Sequence, residues 1–148
     1  MTTGIELISK ERERQINKEG WTKEHDAEHC FGELANAAAC YAMTDFYKNR
    51  DMVSVWCEDG ATRRVPVIWP WDGQWWKPTP NDRIKELVKA GALIAAEIDR
   101  LLAEKNKDEL AKKVSKPQGM NDKQYDIMLK HLQDQIEKND VRKDQITS

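Results

Sequence analysis

The stretch "RIKELVKAGALIAAEIDRLL", residues 83–102, constrains the fold of this chain more than any other. Ile84, Leu87, Gly91, Ile94, Ile98 and Leu101 recur at intervals of three and four, with Val88, Ala95 and Leu102 beside them. That period predicts an amphipathic helix with one apolar face. Its small residues let a partner helix come near, and the alanine run of residues 35–39 offers a matching surface. The two are expected to pair as the core. Upstream, Thr79-Pro80-Asn81-Asp82 reads as the start of the helix, with a hydroxyl cap, a proline in the first position and an acid in the third.

A chain of 148 residues suffices for one domain with a real core. The N-terminal stretch predicts a helix capped by Thr3, carrying Ile5, Leu7, Ile8 and Ile16, and ended by Gly20 with Trp21 folding back. Thr22 offers a second cap, and a helix from about His25 to Tyr47 would align Leu34, Ala38, Tyr41 and Ala42, with Gly32 as its weak point. From Met52 the period becomes two. "MVSVWCEDGATRRVPVIW" alternates, breaks at Asp59-Gly60 and resumes, which predicts a β-hairpin over about 52–68 with Pro66 at an edge. The expected architecture is mainly α: a packed helical domain, residues 1–104, with a small inserted β-hairpin. Residues 105–120 read as a linker and 121–139 as an amphipathic helix carrying Tyr125, Met128, Leu129, Leu132 and Ile136. Residues 140–148 are expected to be a disordered tail. The amphipathic helix cannot bury its stripe alone, so it is expected to pack on the core or to join copies into a homo-oligomer.

Charge excludes more than it suggests. With 24 basic and 26 acidic residues the net charge is -2, so no nucleic-acid partner is expected. Cys30, Cys40 and Cys57 are odd in number and lack CxxC spacing, as free thiols of a reducing cytoplasm would be. No apolar stretch reaches the ~18 residues needed to span a bilayer, and no signal peptide is seen. A cytoplasmic protein with no membrane partner is the expectation.

Two stretches carry candidate chemistry. "EHDAEHCFGE", residues 24–33, holds two histidines and four acids. On a continuous helix Asp26, His29, Glu33 and Asn36 would stack along one side, able to grip a polar ligand, a proton or a divalent ion. The competing reading is a solvated helix face. From the other core helix, Glu97 would complete the site unless it merely pairs with Arg100, and Arg83 would need a carboxylate or phosphate partner if it lines a pocket. "WPWDGQWWKP" gathers four of the six tryptophans. Trp71, Trp75, Trp76 and Lys77 are a candidate ligand wall, indole for stacking and lysine for phosphate, against the alternative of a loop pinned by its aromatics. His131 is expected on the surface.

Three blocks in order, "ERERQINKEGWTKEHDAEHCFGELANAAACYA", "WPWDGQWWKP" and "RIKELVKAGALIAAEIDRLL", resemble a family of small tailed-phage and prophage proteins. That resemblance, over about residues 4–102, implies a phage accessory protein in the host cytoplasm. The expected function is capture of a small anionic, nucleotide-like ligand through His29, Glu33, Arg83 and the tryptophan loop, or the blocking of a host defence protein. A second likeness is to the all-α MazG-like nucleotide pyrophosphohydrolases, in which helix carboxylates hold magnesium. "EHCFGEL" resembles their first block, with Glu28, His29 and Glu33 as equivalents, while Glu97 and Asp99 stand two apart in the region of the second. It implies the alternative of a magnesium-dependent hydrolase with Asp26, Glu33 and Glu97 on the metal and His29 positioning water.

Overall fold

The computed structural model describes residues 1–146. They form a mainly α structure of six helices with one two-stranded antiparallel sheet inserted between the fourth and fifth. The chain divides into two compact units, Met1–Arg100 and the part from Leu101 onward. No helix among the described residues is long and apolar enough to cross a membrane.

Helix α1, Gly4–Arg14, opens on a reciprocal cap. The Glu6 N–H donates to Thr3 Oγ1 at 3.3 Å and the Thr3 N–H donates to Glu6 Oε2 at 2.8 Å. The helix then widens into a π-helical turn, Gln15–Glu19, and stops at Gly20, whose φ of 76° suits glycine. Thr22 caps α2, Lys23–Asp26.

The single helix expected from His25 to Tyr47 is three helices: α2, α3 (Glu33–Ala42) and α4 (Asp45–Arg50). Gly32 sits at φ 82° before α3, a left-handed conformation that breaks any helix passing through it. Met43 turns extended and ends α3. Leu34, Ala38 and Tyr41 are buried as expected, whereas Ala42 is exposed.

The hairpin is where its alternation put it. Strand β1, Met52–Trp56, pairs with β2, Thr62–Pro66, in the register Met52↔Pro66 through Trp56↔Thr62. Pro66 ends its strand, where a missing N–H does least harm. Asp72 accepts from the Glu58 and Gln74 N–H groups and so ties the tryptophan loop to the hairpin. Gly73 packs so closely there that a Cβ would lie 2.7 Å from Cys57 Sγ.

Helix α5, Arg83–Lys113, begins later than Thr79-Pro80 suggested. Asn81 has φ 71°, and Asp82 is the residue whose carboxylate accepts the Lys85 N–H at 3.0 Å. Thr79 instead gives both its N–H and its hydroxyl to Glu86, at 2.7 and 2.6 Å. Glu86 also binds Lys48 at 2.7 Å, a buried pair that joins α4 to α5.

α3 and α5 meet in one core, as their alanines implied. Leu34, Ala37, Ala38, Cys40 and Tyr41 pack with Ala90, Leu93 and Ala96, and with Val65, Trp69 and Trp76. The inward face of α5, however, is not the expected one. Ile84, Leu87, Ile94, Ile98 and Leu101 are between 43% and 67% exposed, while Ala90, Ala92, Leu93 and Ala96 are buried. A helix apolar around more than half its circumference leaves its orientation open, and α3 accepts only the face whose small side chains permit close approach. Gly91 serves α1 instead, since Ile8 occupies the space a Cβ would take, at 2.5 Å.

In the second unit α5 continues to Lys113, so the expected linker at 105–120 is helical over its first nine residues. "AEKNKDELAKK" holds strong helix formers and no glycine or proline before Pro117. Helix α6, Asp122–Ile146, runs back along it. Gln133 donates to the Ala103 carbonyl at 3.1 Å, Lys107 pairs with Asp126 at 3.3 Å, and the Tyr125 hydroxyl reaches the Val114 carbonyl. Leu129 is buried. Leu129 is thus the one stripe residue of α6 that is fully buried, while Tyr125, Met128 and Leu132 are half-buried and Ile136 is exposed. α6 also extends past residue 139, through most of the expected disordered tail; residues 147 and 148 lie outside the described residues.

Candidate functional site: an aromatic cavity with a lysine wall

The tryptophan loop sends its indoles two ways. Trp76 turns inward, its ring 4.7 Å from Tyr41 and 4.9 Å from Trp69. Trp69 stands edge-on to Tyr41 and donates its N–H to the Asp72 carbonyl at 3.2 Å. The Lys77 N–H donates to the Tyr41 hydroxyl at 3.2 Å and locks the loop on α3. Burial pushes the Tyr41 phenol up to about 12, so it stays neutral. Trp71 remains half-buried and Trp75 is 49% exposed.

These two, with Trp21, Tyr41 and Trp69, wall a cavity of about 480 Å³. Its polar lining comes from both ends of the first unit: Glu11, Arg14, Gln15 and Glu19 from α1 and its π-helical turn, and Lys77, Thr79, Lys85 and Lys89 from the loop and α5. Arg14 is divided between two carboxylates, bidentate on Glu11 at 2.8 and 2.9 Å and also 2.8 Å from Glu19. Burial alone would raise the Glu11 carboxyl, but the bonds and charge of Arg14, with help from Gln15, hold it below its ordinary value. Lys89 donates to the Lys77 carbonyl at 2.6 Å, lies 5.1 Å over the Tyr41 ring and is 3.7 Å from Glu86. Burial draws its ammonium down, Glu86 opposes the shift, and Lys85 one turn earlier adds to it. Four cations against two carboxylates leave the lining positive.

Two polar atoms of this wall have no partner. Gln15 is 2% exposed, with its Nε2 on Glu11 at 3.2 Å and its Oε1 accepting nothing. The Trp71 Nε1–H likewise donates to nothing. A buried polar group left unsatisfied costs about 1–3 kcal/mol. Only Arg12 Nε shares this condition among the described residues.

Of the residues singled out from sequence, Trp71, Trp75 and Lys77 line the cavity, and Trp76 lies in the core beneath it. Among the described residues Arg83 has no carboxylate partner. Its guanidinium donates to the carbonyls of Tyr41 at 3.2 Å, Met43 at 2.8 Å and Ala42, the unpaired C-terminal end of α3. A cation opposes the dipole of its own helix there but favours that of α3.

The acid-and-histidine stretch is occupied internally, because the break at Gly32 disperses its stripe. Asp26 is buried against Arg12, and that guanidinium also donates to the Trp21 carbonyl. Glu33 accepts the Phe31 N–H at 2.7 Å; its own backbone N–H and that of Phe31 hold its carboxyl low. Glu97 is bidentate on Arg100 at 2.9 and 3.0 Å. Among the described residues no three His, Cys, Asp or Glu side chains group around a metal position. His29 lies behind the cavity wall, 5.2 Å from the Trp71 ring and 4.9 Å from His25. Burial lowers its imidazole first and the charge of His25 second, against the pull of nearby acids.

Sequence reasoning missed Glu11, Arg14, Gln15, Glu19, Trp21, Tyr41, Lys85 and Lys89. Part of the signal was present. Arg12 and Gln15 continue the spacing of Ile5 and Ile8, which puts polar side chains on the inward face of α1. Lys85 and Lys89 stand four apart and share a helix face.

No protein-family model, no curated protein and no solved structure matches this chain.

Proposed function

We propose that the protein is a binding module that captures a small planar anion, nucleotide-like in its pairing of a flat ring with phosphate. The observation that carries this reading is one cavity in which Trp71 and Trp75 stand with Lys77, Lys85 and Lys89. Indole faces stack on rings irrespective of sequence, and ammonium groups take phosphate oxygens as point charges. In the phage setting that the sequence resemblance implies, such a module would sequester its ligand in the host cytoplasm.

Isothermal calorimetry with nucleoside monophosphates, with inorganic phosphate as control, tests it. Saturable binding is expected, and Trp75→Ala should weaken it by about 1–3 kcal/mol, the worth of one stacked base. Heat-neutral titrations with every nucleotide, on protein that keeps its native circular dichroism, would sink the reading. Phosphate or pyrophosphate released in the presence of magnesium would replace capture by hydrolysis.

A second reading, the blocking of a host defence protein, is favoured by the exposed Ile84, Leu87, Ile94 and Ile98 on α5. Loss of a host-protein complex on Ile94→Lys, with nucleotide binding retained, would select it.

A further inference from the structure

The orphaned polar atoms of the cavity wall point to what the ligand's ring carries. We propose that Gln15 and Trp71 are specificity determinants that turn onto the edge of a planar heteroaromatic ring, Gln15 Oε1 accepting a ring-edge N–H and Trp71 Nε1–H donating to an adjacent carbonyl or ring nitrogen. The inference rests on the capture reading above and names the ligand class within it: an anion whose ring is a nucleobase or an equivalent heterocycle, not a plain aryl group.

Three observations converge. Gln15 and Trp71 both line the cavity, one from the π-helical turn and one from the tryptophan loop. Each holds a buried atom of opposite hydrogen-bonding character, an acceptor and a donor, with no partner. Few polar contacts hold either side chain. The Gln15 amide is held from its nitrogen side by one long bond to Glu11 at 3.2 Å. Trp71 packs against the core through its ring, with Trp69 at 5.3 Å and His29 at 5.2 Å, and makes no hydrogen bond through Nε1. Both atoms are sealed from solvent, so a ring that enters draws them out and supplies the partners that the fold withholds. A plain aromatic ring stacks equally well but satisfies neither atom.

Calorimetry on the full chain separates the two ligand classes. Uridine and guanosine monophosphates offer adjacent N–H and carbonyl groups, and phenyl phosphate offers a ring and a phosphate only. Wild-type protein is expected to prefer the nucleotides by about tenfold, one to two net hydrogen bonds. Gln15→Met, close in volume, should bring that preference to within about twofold while phenyl phosphate binds as before. Trp71→Phe leaves Trp75 to stack, removes the donor and should lower the preference in the same direction; it decides the matter if Gln15→Met does not fold. Equal binding of phenyl phosphate by wild type, or a preference that survives both substitutions, overturns the assignment of these residues and leaves anion capture standing. Failure of every probe, phenyl phosphate included, overturns both. An ordered water that merely satisfies Gln15 would show as a Gln15→Met variant with full nucleotide preference, and that too overturns the proposal.

Discussion

The stretch from Glu24 to Glu33 and the wall of the aromatic cavity are comparably polar, with four acids and two histidines in the first and the Glu11, Glu19, Arg14, Lys77, Lys85 and Lys89 side chains in the second. In the first, the acids that looked most like ligands are bound within the fold. Asp26 belongs to Arg12 and Glu33 to the Phe31 N–H. In the second, Arg14 and Lys89 are likewise bonded within the fold, but Lys77 and Lys85 border open volume and two polar atoms of the wall have no partner. Density of charge along a chain therefore says little about a site. What separates a site from a scaffold is whether the side chains have been satisfied before any ligand arrives.

The comparison breaks most sharply at Asp26. Asp26→Ala leaves the Arg12 guanidinium buried without its carboxylate, a loss expected at about 3–5 kcal/mol in urea unfolding. Nucleotide affinity of the molecules that remain folded should not change; a variant of normal stability with impaired binding would move the site back to this stretch. Arg83→Met should cost about 1 kcal/mol of unfolding free energy by uncapping α3, again with affinity untouched. A weakened ligand affinity in that variant would restore Arg83 as a binding residue.

Lys85→Met is the mirror experiment. Stability should stay within about 0.5 kcal/mol of wild type. Nucleotide affinity should fall by about threefold, the share of one partly screened charge. An unchanged dissociation constant would remove Lys85 from the anion site.

The smallest effect is expected from His29, which touches both regions through Trp71. Its imidazole is held below the ordinary value of 6.5, chiefly by burial. Between that folded value and 6.5 the unfolded chain binds more protons than the native one, so acidification through this window favours unfolding. The contribution is whole above 6.5 and lost as pH falls through the window. Melting temperatures measured from pH 7.5 downward should decline more steeply for wild type than for His29→Gln. Parallel profiles would contradict the half-buried placement of the ring.

How legible each part was in the residues follows the range of the forces involved. The Thr3 and Thr22 caps, the stop at Gly20 and the turn at Asp59-Gly60 depend on neighbours a few positions away, and all stand where the sequence implied. Gly32 was visible as a weak point, yet that it would split one helix and scatter Asp26, His29 and Glu33 depended on its left-handed backbone. Trp71, Trp75 and Lys77 were recognisable as a wall because they are close in sequence. Their opposite wall was not, because Glu11, Gln15 and Lys89 come from helices far apart along the chain.

The sequence by itself determined the mainly helical class, the inserted hairpin, the Thr3 and Thr22 caps and the meeting of two small-residue helix faces, since propensity, capping and period act over one or two turns. Tertiary structure alone decided which side of α5 turned inward, that Arg83 would close α3, and that six charged side chains from distant segments would surround one aromatic hollow. Those outcomes rest on steric fit between surfaces and on competition for each polar group among all the partners that packing brings within reach, and neither can be read from a residue's neighbours along the chain.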